Sequence, residues 1–212
     1  MVEKGKFIVL EGIDGAGTTT QARFLTRYLK REYGADVLQT FEPSRSYVGI
    51  YIRQILGRHV LKDDGERYSD RAISALFLAD RWLHIENEVL PAIEKGQHVI
   101  SDRYYLSSFA YQRVKGRPLD ELIAMHAGLP SPDLTLFLDI SAEIGGARRA
   151  HRGGVQEIYE VDEFQRRVVE QYHAAIDKMK DKGDNIVMLD GTKSLRTVTR
   201  DVRAGVDSLL GN

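Results

Sequence analysis

The 212-residue chain contains no cysteine, which excludes a disulfide framework and any thiolate metal site. No apolar run approaches the roughly 20 residues that span a bilayer, and the N-terminus lacks the apolar stretch of a signal peptide. Neither sign of charge dominates. Thirty Lys and Arg stand against thirty-one Asp and Glu, a formal net charge of −1, so bulk charge points neither to nucleic acid nor to an anionic membrane as partner. No internal repeat, low-complexity tract or convincing linker divides the sequence. These absences predict a cytoplasmic protein of one domain, residues 1–212, long enough to bury a sizeable core.

What is present is concentrated first in residues 7–21. Phe7 to Leu10 is an uninterrupted apolar run, the signature of a buried parallel strand. Gly12, Gly15 and Gly17 follow, and from Thr18 the pattern turns helical, with Ala22, Leu25 and Leu29 on one face. A strand, a glycine-rich turn and a helix N-terminus form a cradle of free N–H groups aimed at an anion. The spacing Gly12-x-x-x-x-Gly17-x-Thr19 fits the phosphate-binding loop G-x-x-x-x-G-K-[ST] except that Thr18 replaces the lysine. Thr19 retains the hydroxyl that such loops direct at Mg²⁺. Taken alone, the stretch is also compatible with a tight turn that binds nothing.

Beyond the loop, strand and helix signals alternate. Short strands are predicted at residues 7–10, 36–40, 98–101, 134–140 and 186–189. Helices are predicted after the loop to about Gly34, around Val48, Ile52 and Ile55, and at 69–90, 119–127, 142–151, 161–181 and 195–209. Residues 58–67 read as a loop. The fold class is therefore α/β: a five-stranded parallel sheet covered by helices on both faces.

In such sheets ligands bind beyond the C-terminal strand ends. The second strand leads into Glu42, Ser44 and Arg45, and the third into Asp102 and Arg103. Asp102 could face Mg²⁺ and Arg103 a phosphate, or the two could be a structural ion pair. On the helix predicted at 69–90, Phe77 and Arg81 are i and i+4 and share a face, while Ala72, Leu76, Ala79 and Leu83 form a second stripe expected to meet the core. A ring beside a guanidinium could hold a planar base, or could be a core-margin Phe beside a solvated Arg. Arg148, Arg149 and Arg152 precede Gly153 and Gly154. This basic, glycine-hinged segment could close over a polyphosphate, or could merely complement a helix dipole.

Several stretches, taken together, resemble the thymidylate kinase family. They are residues 11–21, Phe77-x-x-x-Arg81, Asp102-Arg103-Tyr104-x-x-Ser107-x-x-Ala110-Tyr111-Gln112, and Pro132-Asp133-Leu134-Thr135-Leu136-Phe137-Leu138-Asp139. The match runs over nearly the whole length, and generic phosphate-loop proteins lack the second and third of these motifs. The resemblance implies a P-loop NTPase type of sheet, a lid at about 148–160, and transfer of phosphate from MgATP to dTMP. It implies that Gly12, Gly15, Ala16, Gly17, Thr18, Thr19, Thr20 and Arg149 bind ATP phosphates. It implies that Asp14, Arg53, Phe77, Arg81, Arg103, Ser107, Ser108 and Tyr111 bind dTMP. Asp14, Arg103, Arg148 and Arg152 would be catalytic, and Thr19 and Asp102 would organise Mg²⁺. It further implies a homodimer formed through sheet-covering helices.

Two departures stand out. Thr18 removes the loop cation, and Phe41 occupies the place before Glu42-Pro43 where bacterial relatives carry arginine. Two alternatives stay open at this point: a kinase for another nucleoside monophosphate such as dUMP, and a nucleotide-binding homologue impaired at Thr18. No Asn-Lys-x-Asp segment is present, which argues against a GTPase.

Overall fold

A computed structural model describes residues 3–57, 60–62, 65–152 and 162–211. Its elements, in chain order, are β1 (Phe7–Glu11), α1 (Thr18–Glu32), β2 (Val37–Phe41), α2 (Tyr47–Leu56), α3 (Asp70–His84), a π-helical turn (Ile85–Val89), α4 (Leu90–Glu94), β3 (His98–Asp102), α5 (Tyr105–Val114), α6 (Leu119–Met125), β4 (Leu134–Asp139), α7 (Ala142–Arg152), α8 (Asp162–Asp181), β5 (Ile186–Asp190) and α9 (Leu195–Leu210). The strands form one parallel sheet in the order β2-β3-β1-β4-β5.

The sheet is covered on both faces, as its strand sequences demand. All five residues of β1 are buried, and so are the first five of β4. Adjacent strand residues point to opposite faces. Leu136 lies beneath Gly205 of α9, whereas the ring of Phe137 meets Tyr172 of α8 at 5.0 Å. α8 and α9 therefore sit on opposite sides. The central strand β1 is flanked by β3 and β4, which places the crevice for a ligand beyond the C-terminal ends of these strands.

All five predicted strands are present. The structure alters the helices in two ways. α5 was not expected, because Tyr105, Leu106, Ser108, Phe109, Ala110, Gln112 and Val114 are buried almost all round it. A helix enclosed on every side carries no amphipathic stripe to read. α3 is rotated from the expected orientation: Ile73, Ser74, Asp80, Arg81 and His84 face inward, while Ala72, Ala79 and Leu83 are exposed. Of the apolar stripe predicted for the core only Leu76 packs inward, against Ile52 and Leu56, and the polar stripe is buried because Ser44, Glu42 and Ser108 satisfy it. From residue 153 on, the predicted lid lies outside the described residues, as does the side chain of Arg152.

Candidate active site

The loop between β1 and α1 is shaped by backbone requirements. Gly15 has φ +92°, and a Cβ there would stand 2.5 Å from the carbonyl oxygen of Gly145 on α7. Gly17, at φ 99°, caps α1 with no side-chain hydrogen bond, and no acidic residue lies in the first turn. The N–H groups of that turn and the positive end of the helix dipole are left for an anion. Thr18 is buried, with its methyl group tucked toward Gly12.

Thr19 and Asp102, to which the resemblance assigns Mg²⁺, meet. The Thr19 hydroxyl donates to Asp102 Oδ2, and the buried Oδ1 has no hydrogen-bond partner among the described residues. No cluster of three or more His, Asp or Glu able to hold a metal occurs among the described residues. One carboxylate and one hydroxyl suit Mg²⁺, which keeps several waters and takes its remaining oxygens from substrate phosphates.

Arg103 has φ 78°, the one non-glycine residue with positive φ among those described. Such strain persists where surrounding contacts over-determine the conformation. Its guanidinium donates to Asp14 Oδ1 at 2.6 Å, Gly12 O at 2.8 Å and Ser107 Oγ at 3.2 Å. Burial disfavours its charge, yet Tyr111 and Asp14 beside it, with Tyr172 and Asp102, hold the pKa well above the ordinary arginine value. Tyr111 donates to the other Asp14 oxygen at 3.0 Å, and Gln165 donates to it at 3.1 Å.

Behind this group lies Glu11, fully buried. It accepts from Tyr104 N at 2.8 Å, Ser107 Oγ at 2.6 Å and Tyr172 Oη at 3.0 Å. Burial raises its pKa, while Ser107, Arg103 and the Tyr104 N–H oppose the shift. Ser107, which the resemblance assigns to dTMP, lines the cavity and is tied to Glu11 and Tyr172.

Arg81 is almost fully buried. Nε and Nη2 hold Glu42 Oε2 at 2.7 and 2.6 Å, Nη1 donates to Ser108 Oγ at 2.8 Å and His126 Nε2 at 2.7 Å, and Nη2 reaches Tyr104 O at 3.1 Å. The other Glu42 oxygen is 3.1 Å from His84 Nδ1. Arg53 donates to the carbonyls of Pro43 and Ser44 at 2.6 and 2.8 Å. The guanidinium groups of Arg45 and Arg53 lie 4.9 and 5.7 Å from the Phe41 ring centre, so Phe41 packs beneath two cations.

From α7, Arg149 Nη1 donates to Asp14 O at 2.7 Å, and Arg148 Nη2 donates to Gly191 O at 2.9 Å. Arg148 Nη1 lies 3.4 and 3.5 Å from the carbonyl oxygens of Gly15 and Ala16.

A cavity of about 500 Å³ joins these groups. Its lining includes Gly15, Gly17 and Thr18–Thr20 of the loop with Arg148 and Arg149, and Arg53, Phe77, Arg81 and Ser108; Asp14, Arg103 and Tyr111, which also line it, are bonded to one another. Sequence reasoning did not single out Glu11, Tyr172, Gln165 or His126. Glu11 adjoins the loop and could have been suspected. Tyr172, Gln165 and His126 come from distant helices with no local signal.

The sequence model of the thymidylate kinase family matches residues 10–202. A probable thymidylate kinase of Pyrococcus abyssi is 38% identical over 209 residues, covering 98% of this chain and 99% of that protein. A thymidylate kinase of Nitrosospira multiformis is 37% identical over 211 residues, covering 97% and 98%. The solved structure of the Candida albicans thymidylate kinase superposes with a TM-score of 0.79 at 28% identity, over 97% of this chain and 92% of that one. With the family model, the relatives and the fold in agreement, the chain belongs to the thymidylate kinase family.

Proposed function

We propose that the chain transfers the γ-phosphoryl group of MgATP to dTMP, giving dTDP and ADP. The observation that carries this reading is that one cavity is lined both by the phosphate loop and by Phe77 and Arg81. Phe77 offers a ring for a pyrimidine to stack on, and the Ser108 hydroxyl, which accepts from the Arg81 guanidinium, offers a donor to a carbonyl edge. Arg53 and Arg103 hold the acceptor's monophosphate. Tyr111 and Asp14 lie under the sugar, and Asp14 also orients Arg103. The loop amides, with Thr20 and Arg149, hold the ATP phosphates. Thr19 and Asp102 would hold Mg²⁺, which when bound neutralises phosphate oxygens.

Phosphoryl transfer through a metaphosphate-like transition state needs alignment and positive charge more than a covalent partner. Two anionic substrates repel each other, and Arg103 and the α7 arginines oppose that repulsion. Arg148 keeps a guanidinium beside the loop that Thr18 leaves without a cation, and Arg152 would join it from the lid at 148–160. The 212 residues act as one kinase domain.

A homodimer goes with this reading. Ala72, Ala75, Ala79 and Leu83 form an exposed stripe at helical spacing on α3, and Ile50 of the neighbouring α2 is 42% exposed. Such a stripe is the kind of surface that a second copy covers. No described helix is long and apolar enough to cross a membrane. A cytoplasmic location suits an enzyme whose substrates are dissolved nucleotides.

ADP release measured with MgATP and, separately, dTMP, dUMP, UMP, CMP and AMP tests the assignment. Turnover with dTMP far above the rest is expected. A preference for another acceptor, or binding of dTMP without turnover, overturns it.

A further inference from the structure

Arg53 lines the cavity from α2, and the protein engages only one of its guanidinium nitrogens. Nη1 donates to Pro43 O at 2.6 Å and to Ser44 O at 2.8 Å, while Nε and Nη2 make no hydrogen bond among the described residues. Those two nitrogens are left for an anion. The direction in which they point is set by the two carbonyls. One helical turn before Arg53, Gly49 lets the carbonyls come close: a Cβ there would stand 2.2 Å from Ser44 O.

Asp80, buried on α3, fixes those carbonyls in turn. Its Oδ2 accepts from Ser44 N at 2.7 Å, and its Oδ1 accepts from the hydroxyls of Ser44 and Ser46, both at 2.6 Å. No basic side chain pairs with Asp80 among the described residues, so these three donors hold it. The Ser46 oxygen also accepts from Gly49 N at 2.9 Å and caps α2. The link to Arg53 is a single peptide group. Ser44 N and Pro43 O belong to one peptide plane and point opposite ways. Asp80 bonds one edge of that plane at 2.7 Å, and Arg53 bonds the other at 2.6 Å. A carboxylate on the N–H also polarises the C=O, which makes it a stronger acceptor. Arg81, the next residue of α3, grips Glu42, so residues 42–46 are held at both ends from one helix.

We propose that Asp80 is a positioning residue for the acceptor's phosphate: it fixes the plane of the Pro43–Ser44 peptide and thereby the direction of Arg53. The inference rests on the reading that Arg53 holds that monophosphate. A free arginine side chain loses much rotamer freedom when it binds an anion, and a guanidinium already ordered by its own protein is spared that loss.

The experiment measures KM for dTMP and the inhibition constant of thymidine, which lacks the phosphate. The proteins are wild type, Asp80→Asn, Asp80→Ala, Arg53→Ala and the Asp80→Asn/Arg53→Ala pair. Asp80→Asn keeps the shape and exchanges a charged acceptor for a neutral one; KM for dTMP is expected to rise about fivefold, and further in Asp80→Ala. The amide oxygen of Asn can still accept from Ser44 N, so Asp80→Asn carries the test where Asp80→Ala does not fold. Inhibition by thymidine should stay within about twofold of wild type in Asp80→Asn, because the nucleoside has no phosphate for Arg53 to hold. In the Arg53→Ala background the same change should alter KM for dTMP by no more than about twofold, since the residue it acts through is gone. Equal weakening of dTMP and thymidine, an undiminished effect without Arg53, or an unchanged KM in Asp80→Asn overturns the inference. An Arg53→Ala enzyme with unchanged KM for dTMP overturns the reading beneath it instead.

Discussion

Arg103 Nη2 donates to Asp14 Oδ1 at 2.6 Å, joining the C-terminal end of β3 to the middle of the phosphate loop. Tyr111 and Gln165 hold the second Asp14 oxygen, so the carboxylate aims the guanidinium into the cavity rather than neutralising it at the surface. Replacing Arg103 by Ala should lower kcat by about 10²–10³-fold, the usual cost of one preorganised charged donor. Asp14→Asn keeps the shape and removes the charge that fixes Arg103. Its loss should be smaller and should fall mainly on kcat/KM for dTMP. Steady-state kinetics check both, and an unaffected Arg103→Ala enzyme would sink the assignment.

Thr18 and Arg148 make a linked prediction. Lysine at position 18 should raise kcat by about tenfold or more, by returning a donor to the β- and γ-phosphates. Arg148→Ala should cost about 10²-fold in the native background and distinctly less in the Thr18→Lys background, because neighbouring groups serving one charge are not additive. Equal losses in both backgrounds would show that Arg148 does not stand in for the missing cation.

Asp102→Asn removes charge from the carboxylate whose buried Oδ1 has no partner among the described residues. The Mg²⁺ concentration for half-maximal activity should rise about 10–100-fold, and Thr19→Val should shift it in the same direction. Titration of Mg²⁺ at fixed ATP reads this directly. Unchanged titration curves would place the metal elsewhere.

Acid stability depends on His126. Burial first, then the charge of Arg81, pushes its pKa down from 6.5 to about 3, against a smaller opposing effect of the hydrogen bond to Leu122. The unfolded chain therefore binds a proton near pH 6.5 that the folded chain refuses until about pH 3. The stabilisation is fully present above pH 6.5 and is lost as pH falls through that window, by at most about 1.4 kcal/mol per pH unit. His98, lowered chiefly by its burial, acts in the same direction. Urea unfolding between pH 7 and pH 4 should show a shallower acid slope for His126→Gln than for wild type.

Leu83→Asp places a charge on the exposed apolar stripe of α3, where Leu83 is 38% exposed. Sedimentation equilibrium should find the dimer dissociation constant raised at least about tenfold, since a charge buried without a partner is costly. A wild-type chain that sediments as a monomer at micromolar concentration would remove the dimer from the reading.

The strands and the phosphate loop were legible because their signals are local. Phe7 to Leu10 must be buried whatever surrounds it, and a glycine at φ +92° beside a helix start needs no distant partner to be recognised. α5 was not legible, because the burial of Phe109 and Ala110 on all sides erases the periodicity that marks a surface helix. The orientation of α3 was misread for a related reason. Apolarity alone assigns Ala72, Ala79 and Leu83 to the core, but Asp80 and Arg81 are inside because Ser44, Ser46, Glu42 and His126 meet them there.

By itself, then, the order of residues determined the parallel sheet and the anion cradle. Tertiary structure decided which charges are buried and what each is aimed at. Whether a charge can leave water depends on partners assembled from β1, β2, α5, α6 and α8, and no spacing along one segment records where those partners will stand.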